Sequence, residues 1–180
     1  NSNAQPAWAV NDGGTSFVSI GNTAISNPAQ KNFAFVEYDG NTYIYSVYAK
    51  KFVMKDASLA ETRVPDAVIV EKLDNGKYFF KFDDSHYINI GGSKQMVIDG
   101  WNTKDGGNQY TLIEQGEFDA TDVLAMISVM PETITFALTD NAGNEYKGTY
   151  EGFRGEVPAI GGVTYTDVVW DETTVTATVK

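Results

Sequence analysis

The stretch "YIYSVYAKKFV", residues 43–53, opens with a strand-like apolar triplet and ends with a second apolar pair. The same pattern occurs 35 residues earlier in "WAVNDGGTSFV", residues 8–18, and 35 residues later in "YFFKFDDSHYI", residues 78–88. Aromatic and β-branched side chains favour strands, and a repeat of this length is typical of folds built from equivalent units. We therefore predict an all-β fold built from three similar units.

A further pair of apolar positions follows the same repeat. The matching pairs are Phe33 and Phe35, Val68 and Val70 after 35 residues, and Tyr110 and Leu112 after another 42 residues. The third copy therefore has seven extra residues. "YDGN" at 38–41 and "LDNG" at 73–76 each join two strand-like runs, as hairpin turns do. Because no single unit could bury its apolar face alone, the sequence predicts a β-trefoil over residues 7–118, with a β-sandwich as the alternative.

The pattern changes after Phe118. The segment "DATDVLAMISVM", 119–130, begins with helix-capping residue types and then spaces its apolar residues on one helical face. We predict a short linker helix that docks on a domain and ends at Pro131. Residues 131–180 contain two strand–turn–strand patterns and predict a second, small β domain.

Composition excludes several classes of function. The formal net charge is −11, so the surface repels phosphate backbones and anionic lipid, and we expect no nucleic-acid partner. No apolar run is long enough for a membrane span, so we expect no membrane insertion. The chain has no cysteine, which excludes disulfides, thiolate metal sites and a cysteine nucleophile. Both ends resemble the interior of a chain, so we expect a monomeric piece of a longer protein with further domains.

The sequence offers little for catalysis. The single histidine, His86, stands in an acidic turn without a nucleophile at a known spacing, and "GGS" at 91–93 does not match a nucleophile elbow. Asp83 and Asp84 are best interpreted as solvated turn residues. "DNAGNE", 140–145, lacks the ligand ladder of a calcium loop and is better interpreted as a turn. We therefore predict a non-enzymatic chain without a cofactor or metal.

The most site-like stretch is "IDGWNTKDGGNQY", residues 98–110, which contains the extra residues of the third repeat. Sugar recognition needs an aromatic face and planar polar groups that bind adjacent hydroxyls. Trp101 would supply the aromatic face. The candidate polar groups are Asn89, Asp99, Asn102, Asn108 and Gln109. The alternative is that Trp101 is a hydrophobic anchor under its own loop while the amides bind the loop backbone.

Residues 7–118 resemble ricin-type β-trefoil lectin domains. The resemblance places Asn89, in "YINI", where that family usually has an Asp, Trp101 at the aromatic position, and Asn108 and Gln109 at the Asn-Gln pair. Two departures stand out: Asn89 is not Asp, and Gln109 is followed directly by Tyr110, so the family's Gln-x-Trp spacing is not met. The first two repeats lack the Asn-Gln pair. The resemblance therefore implies a sugar site in the third repeat alone.

The chain is also similar to trefoil-like modules that accompany glycan-degrading enzymes in surface and secreted proteins of gut bacteria. The similar stretches are "NFAFVEYDGNTYIYSVYAKKFV" at 32–53, "YINIGGSKQMVIDGWNTKDGGNQYTLIE" at 87–114 and "FDATDVLAMI" at 118–127, with 131–180 resembling the small β module that follows them. This resemblance implies a non-catalytic, carbohydrate-binding accessory role, either extracellular or at the bacterial cell surface. The alternative is a spacer or protein-interaction module without a glycan ligand.

Overall fold

The computed structural model confirms the all-β class. It describes residues 6–127, 132–140, 142–152, 165–171 and 174–179. The chain divides into two compact units, Asn1–Ile127 and Ser128–Lys180. No helix within the described ranges is both long enough and apolar enough to cross a membrane.

The first unit contains ten strands, a short 3₁₀ helix at Pro28–Lys31 and one α-helix among its described residues. The strands are β1 (Trp8–Val10), β2 (Phe17–Ser19), β3 (Phe33–Tyr38), β4 (Asn41–Ser46), β5 (Lys51–Val53), β6 (Leu59–Ala60), β7 (Ile69–Lys72), β8 (Tyr78–Asp83), β9 (His86–Ile90) and β10 (Met96–Asp99), and the helix is α1 (Thr121–Ile127). They form a β1-β2 pair and two four-stranded sheets, β3-β4-β5-β6 and β7-β8-β9-β10, with antiparallel neighbours throughout.

Both predicted hairpins are present. "YDGN" connects β3 to β4, and Asp39 and Gly40 adopt φ values of 48° and 74°, the left-handed pair that a two-residue hairpin turn requires. "LDNG" connects β7 to β8, where Gly76 has φ 78°.

Two isolated bridges lie close to the positions that the sequence aligned. Thr42 forms an isolated antiparallel bridge with Val68, and Tyr78 forms one with Tyr110. The Val68 amide donates to Thr42 over 2.7 Å, and the Tyr110 amide donates to Tyr78 over 2.9 Å. Val68 and Tyr110 are the counterparts predicted from the repeat, whereas their partners Thr42 and Tyr78 are 36 residues apart, one more than the repeat. Two copies therefore form similar bridges that differ by one residue in register. The closed threefold arrangement of a β-trefoil stays a prediction.

One hydrophobic cluster draws on all three repeats. Trp8 and Phe17 come from the first, Ile44 and Val53 from the second, and Phe80 from the third. Apolar side chains of this size each stabilise the fold by about 1.5–3 kcal/mol when fully buried. The shared cluster therefore explains why the repeats fold as one unit.

The helix α1 begins at Thr121, within the predicted segment 119–130. The Asp119 carboxylate just before it accepts hydrogen bonds from the Thr121 amide at 3.0 Å and the Thr121 hydroxyl at 2.6 Å. Val123 and Ile127 are buried, and α1 packs beside β3. The helix belongs to the first unit. The rest of its predicted length, residues 128–130, lies outside the described residues.

The second unit contains one four-stranded sheet, whose order is β12-β11-β14-β13. Its strands are β11 (Glu132–Thr139), β12 (Glu145–Gly152), β13 (Tyr165–Asp171) and β14 (Thr174–Val179). β11 runs antiparallel to β12 and parallel to β14, and its alternating residues Ile134 and Leu138 are buried. The Asp140 carboxylate accepts from the Asn144 amide over 2.8 Å, so the described residues within 140–145 form a turn between β11 and β12.

Candidate ligand-binding groove

A groove opens between the end of β9 and the loop that follows β10. Its volume is about 540 Å³, within the range of roughly 300–1,000 Å³ typical of small-molecule sites. We call it the Trp101 groove, and its lining residues are Asn89, Ile90, Gly91, Gly92, Trp101, Asp105, Gly106 and Gly107. Half of the lining residues are glycines, which leaves backbone groups open to the groove.

Backbone contacts fix the two walls. The Ile90 amide donates to the Gly107 carbonyl over 2.9 Å, which ties the loop to the end of β9. On the other wall, the Lys94 amide donates to the Gly91 carbonyl over 2.8 Å and closes a tight turn. Gly107 approaches β9 so closely that an added Cβ would lie 2.5 Å from Oδ1 of Asn89. The groove therefore requires glycine at this position.

Trp101 is the aromatic wall of the groove, and 51% of its surface is exposed. Its backbone amide donates to Oδ1 of Asp99 over 3.0 Å. Its indole Nε1 donates to Oδ2 of Asp105 over 3.0 Å. The indole is thus held by its edge in a largely exposed position, and it is not the buried anchor of the alternative interpretation.

Asp105 is a groove residue that the sequence interpretation missed. In addition to the Trp101 indole, its carboxylate accepts from the Gly107 amide over 2.9 Å. The hydrogen bond from the Trp101 indole, followed by that from the Gly107 amide, holds the pKa of Asp105 below its ordinary value. The sequence signal for this role is an Asp two residues before a glycine, which is typical of an Asx turn.

Asn89 lies on β9 at the floor of the groove and is 8% exposed. Within the described part of the chain, its side-chain amide has no hydrogen-bond partner. The Asn89 amide is therefore a donor and an acceptor available to a molecule in the groove.

Asn108 has a different position from the one that the lectin resemblance implies. It is fully buried, and its Nδ2 donates to the carbonyls of Ile88 at 3.1 Å and Trp101 at 3.2 Å. Its Oδ1 is buried without a partner in the described structure. Asn108 thus supports the Trp101 loop from beneath and does not line the groove.

The remaining predicted residues also lie outside the groove lining. Gln109 donates to the Lys104 carbonyl over 2.5 Å and accepts from Asn75 over 2.9 Å, so it braces the loop. Asp99 accepts from the Trp101 amide, and Asn102 is exposed. Of the six predicted residues, the structure brings Asn89 and Trp101 together in the groove. Whether any of the six contacts a ligand stays a prediction.

A charged contact anchors the far side of the loop. Nζ of Lys104 lies 2.7 and 2.8 Å from the two carboxylate oxygens of Glu71 on β7 and 5.1 Å from the centre of the Phe79 ring. The loop's lysine is therefore already paired with an acidic residue. Asp105 is the only charged residue among those that line the groove.

The acidic turn before β9 contains two close side-chain contacts of its own. His86 Nδ1 lies 2.6 Å from Asp83, and Lys81 lies 2.6 Å from Asp84. The hydrogen bond with His86 is the main reason that the pKa of Asp83 is lowered. In the described portion of the chain, no three His, Asp or Glu side chains converge in a metal-like cluster.

A scan against protein-family models finds no match for the chain, and searches of curated proteins and of solved structures find none either.

Proposed function

We propose that the chain is a non-catalytic accessory module that binds carbohydrate weakly through the Trp101 groove. The observation that supports this most directly is the half-exposed indole of Trp101 beside the unpartnered amide of Asn89. A pyranose ring presents apolar C–H groups that pack on an indole face, while its hydroxyls need donors and acceptors such as a side-chain amide.

A single site of this kind binds weakly. It offers one stacking surface and a few hydrogen bonds to hydroxyls, each worth about 1 kcal/mol net. The dissociation constant for one site is therefore expected in the millimolar to high-micromolar range. Tethering to an enzyme or to a surface would raise the effective affinity without any new contact.

The wider setting belongs to the same proposal. The repeated bridges at Val68 and Tyr110 and the shared core support a β-trefoil, and the resemblance to ricin-type lectins and gut-bacterial accessory modules supports a carbohydrate ligand. The module would be a monomeric part of a larger secreted or surface-exposed glycan-processing protein. Its acidic surface, with a net charge of −11, disfavours binding to nucleic acid.

A second candidate is a structural spacer or a protein-interaction module without a glycan ligand. The observation that favours it is the use of Asn108 and Gln109 inside the loop, because amides that bind the backbone are not free to bind a sugar. The two candidates differ in what Trp101 does. In a spacer, its removal changes no glycan interaction.

The test is calorimetric titration of host and plant glycans into the wild type and into Trp101→Ala. Intrinsic fluorescence provides a second readout, and the variant isolates the Trp101 signal because Trp8 and Trp170 also emit. Ile113→Ala is the matched control, since Ile113 is a 76% exposed apolar residue outside the groove. Saturable binding that disappears only in the folded Trp101→Ala protein is expected. A flat response across the panel would favour the spacer.

A further inference from the structure

The lining of the Trp101 groove carries negative charge and no positive charge. Asp105 is its only charged lining residue, and the hydrogen bonds from Trp101 and Gly107 hold the pKa of this carboxyl below its ordinary value. It is therefore ionised at neutral pH. The basic residue of the loop, Lys104, is paired with Glu71. Neither Lys104 nor Lys94, which belongs to the turn on the opposite wall, is among the lining residues.

Asp105 has capacity left for a ligand. An ionised carboxylate offers about four acceptor positions. The two well-formed hydrogen bonds come from the Trp101 indole at 3.0 Å and the Gly107 amide at 2.9 Å, and the Thr103 side chain and the Asn108 backbone amide also act to lower the pKa of this carboxyl. The side chain is exposed, so a donor on a bound molecule can reach it. Because Asp105 contacts the edge of the indole, the carboxylate and the aromatic surface belong to one site.

An aromatic surface beside a carboxylate suits a cationic ligand group. An ammonium is attracted by the negative face of an indole and forms a charge-assisted hydrogen bond with a carboxylate. A uronic acid, a sialic acid or a sulfated sugar would instead bring a second negative charge close to Asp105, without a lining cation to compensate it.

We infer that Asp105 determines the ligand class of the groove, and that it selects glycans with a protonated amino group over neutral glycans and disfavours acidic ones. This inference rests on the proposed carbohydrate-binding function. In this arrangement Trp101 packs against the sugar ring and the Asn89 amide binds a hydroxyl. Asp105 accepts a hydrogen bond from the ammonium.

The test uses the whole chain and three oligosaccharide probes of equal length: fully deacetylated glucosamine, its N-acetylated counterpart and galacturonate. At pH 6 in low salt, we expect the glucosamine oligomer to bind about fivefold more tightly than the N-acetylated one, as for an exposed cation beside an aromatic ring and a carboxylate. Galacturonate should bind most weakly of the three.

A pH series on the wild type tests the charge without any substitution. An amine next to electron-withdrawing oxygens is expected to titrate near the pKa of about 8 of an α-amino group, whereas Asp105 stays ionised from pH 6 to pH 9. The preference for the glucosamine oligomer should therefore disappear by pH 9. Added salt should weaken it as well.

The variant Asp105→Asn should reduce the affinity ratio between the glucosamine and N-acetylated oligomers to about one. Asp74→Asn is the matched control, because it removes the same charge from an exposed turn outside the groove and should keep the ratio.

If the N-acetylated oligomer binds and the glucosamine oligomer binds no better at pH 6, the inference fails while the proposed function stands. Tighter binding of galacturonate overturns the inference in the same way. If none of the oligomers and no glycan of the wider panel binds, both fail.

Discussion

The indole Nε1 of Trp101 and Oδ2 of Asp105 are joined by a hydrogen bond of 3.0 Å, and both side chains line the same groove. The other carboxylate oxygen of Asp105 accepts from the Gly107 amide over 2.9 Å. One exposed side chain therefore fixes the aromatic wall of the groove and the opposite end of its loop at the same time.

Replacing Asp105 by alanine should loosen Trp101. Asp105→Ala removes both acceptors, so the indole loses the partner that fixes its edge. We expect stronger acrylamide quenching of tryptophan fluorescence and glycan binding weakened several-fold, with little change in the urea midpoint because the loop is exposed. Asp74→Ala is the control. Unchanged quenching in a folded Asp105→Ala protein would contradict this role.

The Trp101–Asp105 hydrogen bond should persist to acidic pH. The pKa of Asp105 is lowered by the indole and the Gly107 amide, and a lowered folded-state pKa means that the contact is present above the unfolded value and is lost as pH falls through the folded value. The ordinary Asp pKa is about 3.9. The Trp101 indole proton resonance should therefore stay constant from pH 7 to about 4.5 and move only below pH 4. A midpoint above pH 4 would show that the carboxylate is not stabilised.

The fold was predictable where local signals agree. The repeat aligns Val68 with Tyr110, and both residues form an isolated antiparallel bridge, although their partners Thr42 and Tyr78 differ from the 35-residue spacing by one residue. The turn at Asp39 and Gly40 was also predictable, because few sequences tolerate two consecutive positive φ values. The sheet order of the second unit was not predictable, because the parallel pairing of β11 with β14 joins strands that are distant in sequence.

The groove was predictable only in part. Trp101 stands out in the sequence as an aromatic residue amid polar and glycine neighbours, but the sequence did not decide between a binding surface and a buried anchor. The direction of Asn108 depends on the carbonyls of Ile88 and Trp101, which the loop brings together only when folded. The spacing of Asp105 to Gly107 is a local Asx-turn signal, but the contact of Asp105 with the Trp101 indole forms only when the loop folds.

Gly107 should tolerate no side chain. In Gly107→Ala, the added Cβ would lie 2.5 Å from Oδ1 of Asn89 and 2.7 Å from the Ile90 carbonyl, so β9 or the loop must shift. Overpacking of this kind costs about 1–3 kcal/mol. Gly106→Ala is the matched control, because nothing lies within 4 Å of a Cβ at that position. Urea denaturation should show a clear loss of stability for Gly107→Ala and almost none for Gly106→Ala. Equal urea midpoints for the two variants would contradict the close approach of Gly107 to β9.

Trp8 should be the tryptophan on which stability depends. Its ring centroid lies 5.2 Å from that of Phe17, 4.8 Å from Phe80 and 4.9 Å from Tyr110, so it connects the first repeat to the third. Trp8→Ala should reduce the free energy of unfolding by about 3–5 kcal/mol. Trp101→Ala should reduce it by well under half as much, because the Trp101 ring is largely exposed. Comparable losses in chemical denaturation would mean that Trp101 is also a core anchor.

The stability of the Trp101 loop should depend on the two N–H groups of the Asn108 side-chain amide. In Asn108→Asp, the introduced carboxylate would face the carbonyls of Ile88 and Trp101, to which Nδ2 now donates over 3.1 and 3.2 Å. The Trp101 carbonyl would lose this donor, the Ile88 carbonyl would keep the Tyr110 hydroxyl at 3.2 Å, and a charge would be buried, so we expect a loss of about 2–3 kcal/mol at pH 7.

The pH dependence separates this effect from a simple packing defect. Burial beside carbonyl oxygens raises the folded-state pKa of the introduced carboxyl above its unfolded value, so the penalty is greatest above the folded pKa and diminishes as pH falls and the group becomes a neutral donor. Thermal unfolding from pH 7 to pH 5 should therefore narrow the gap between Asn108→Asp and the wild type, whereas Asn108→Ala should show no such recovery. Asn102→Asp, at an exposed position of the same loop, controls for the added charge. If the loss of thermal stability varies with pH in the same way for Asn108→Asp and Asn108→Ala, the loop does not depend on the Nδ2 donors.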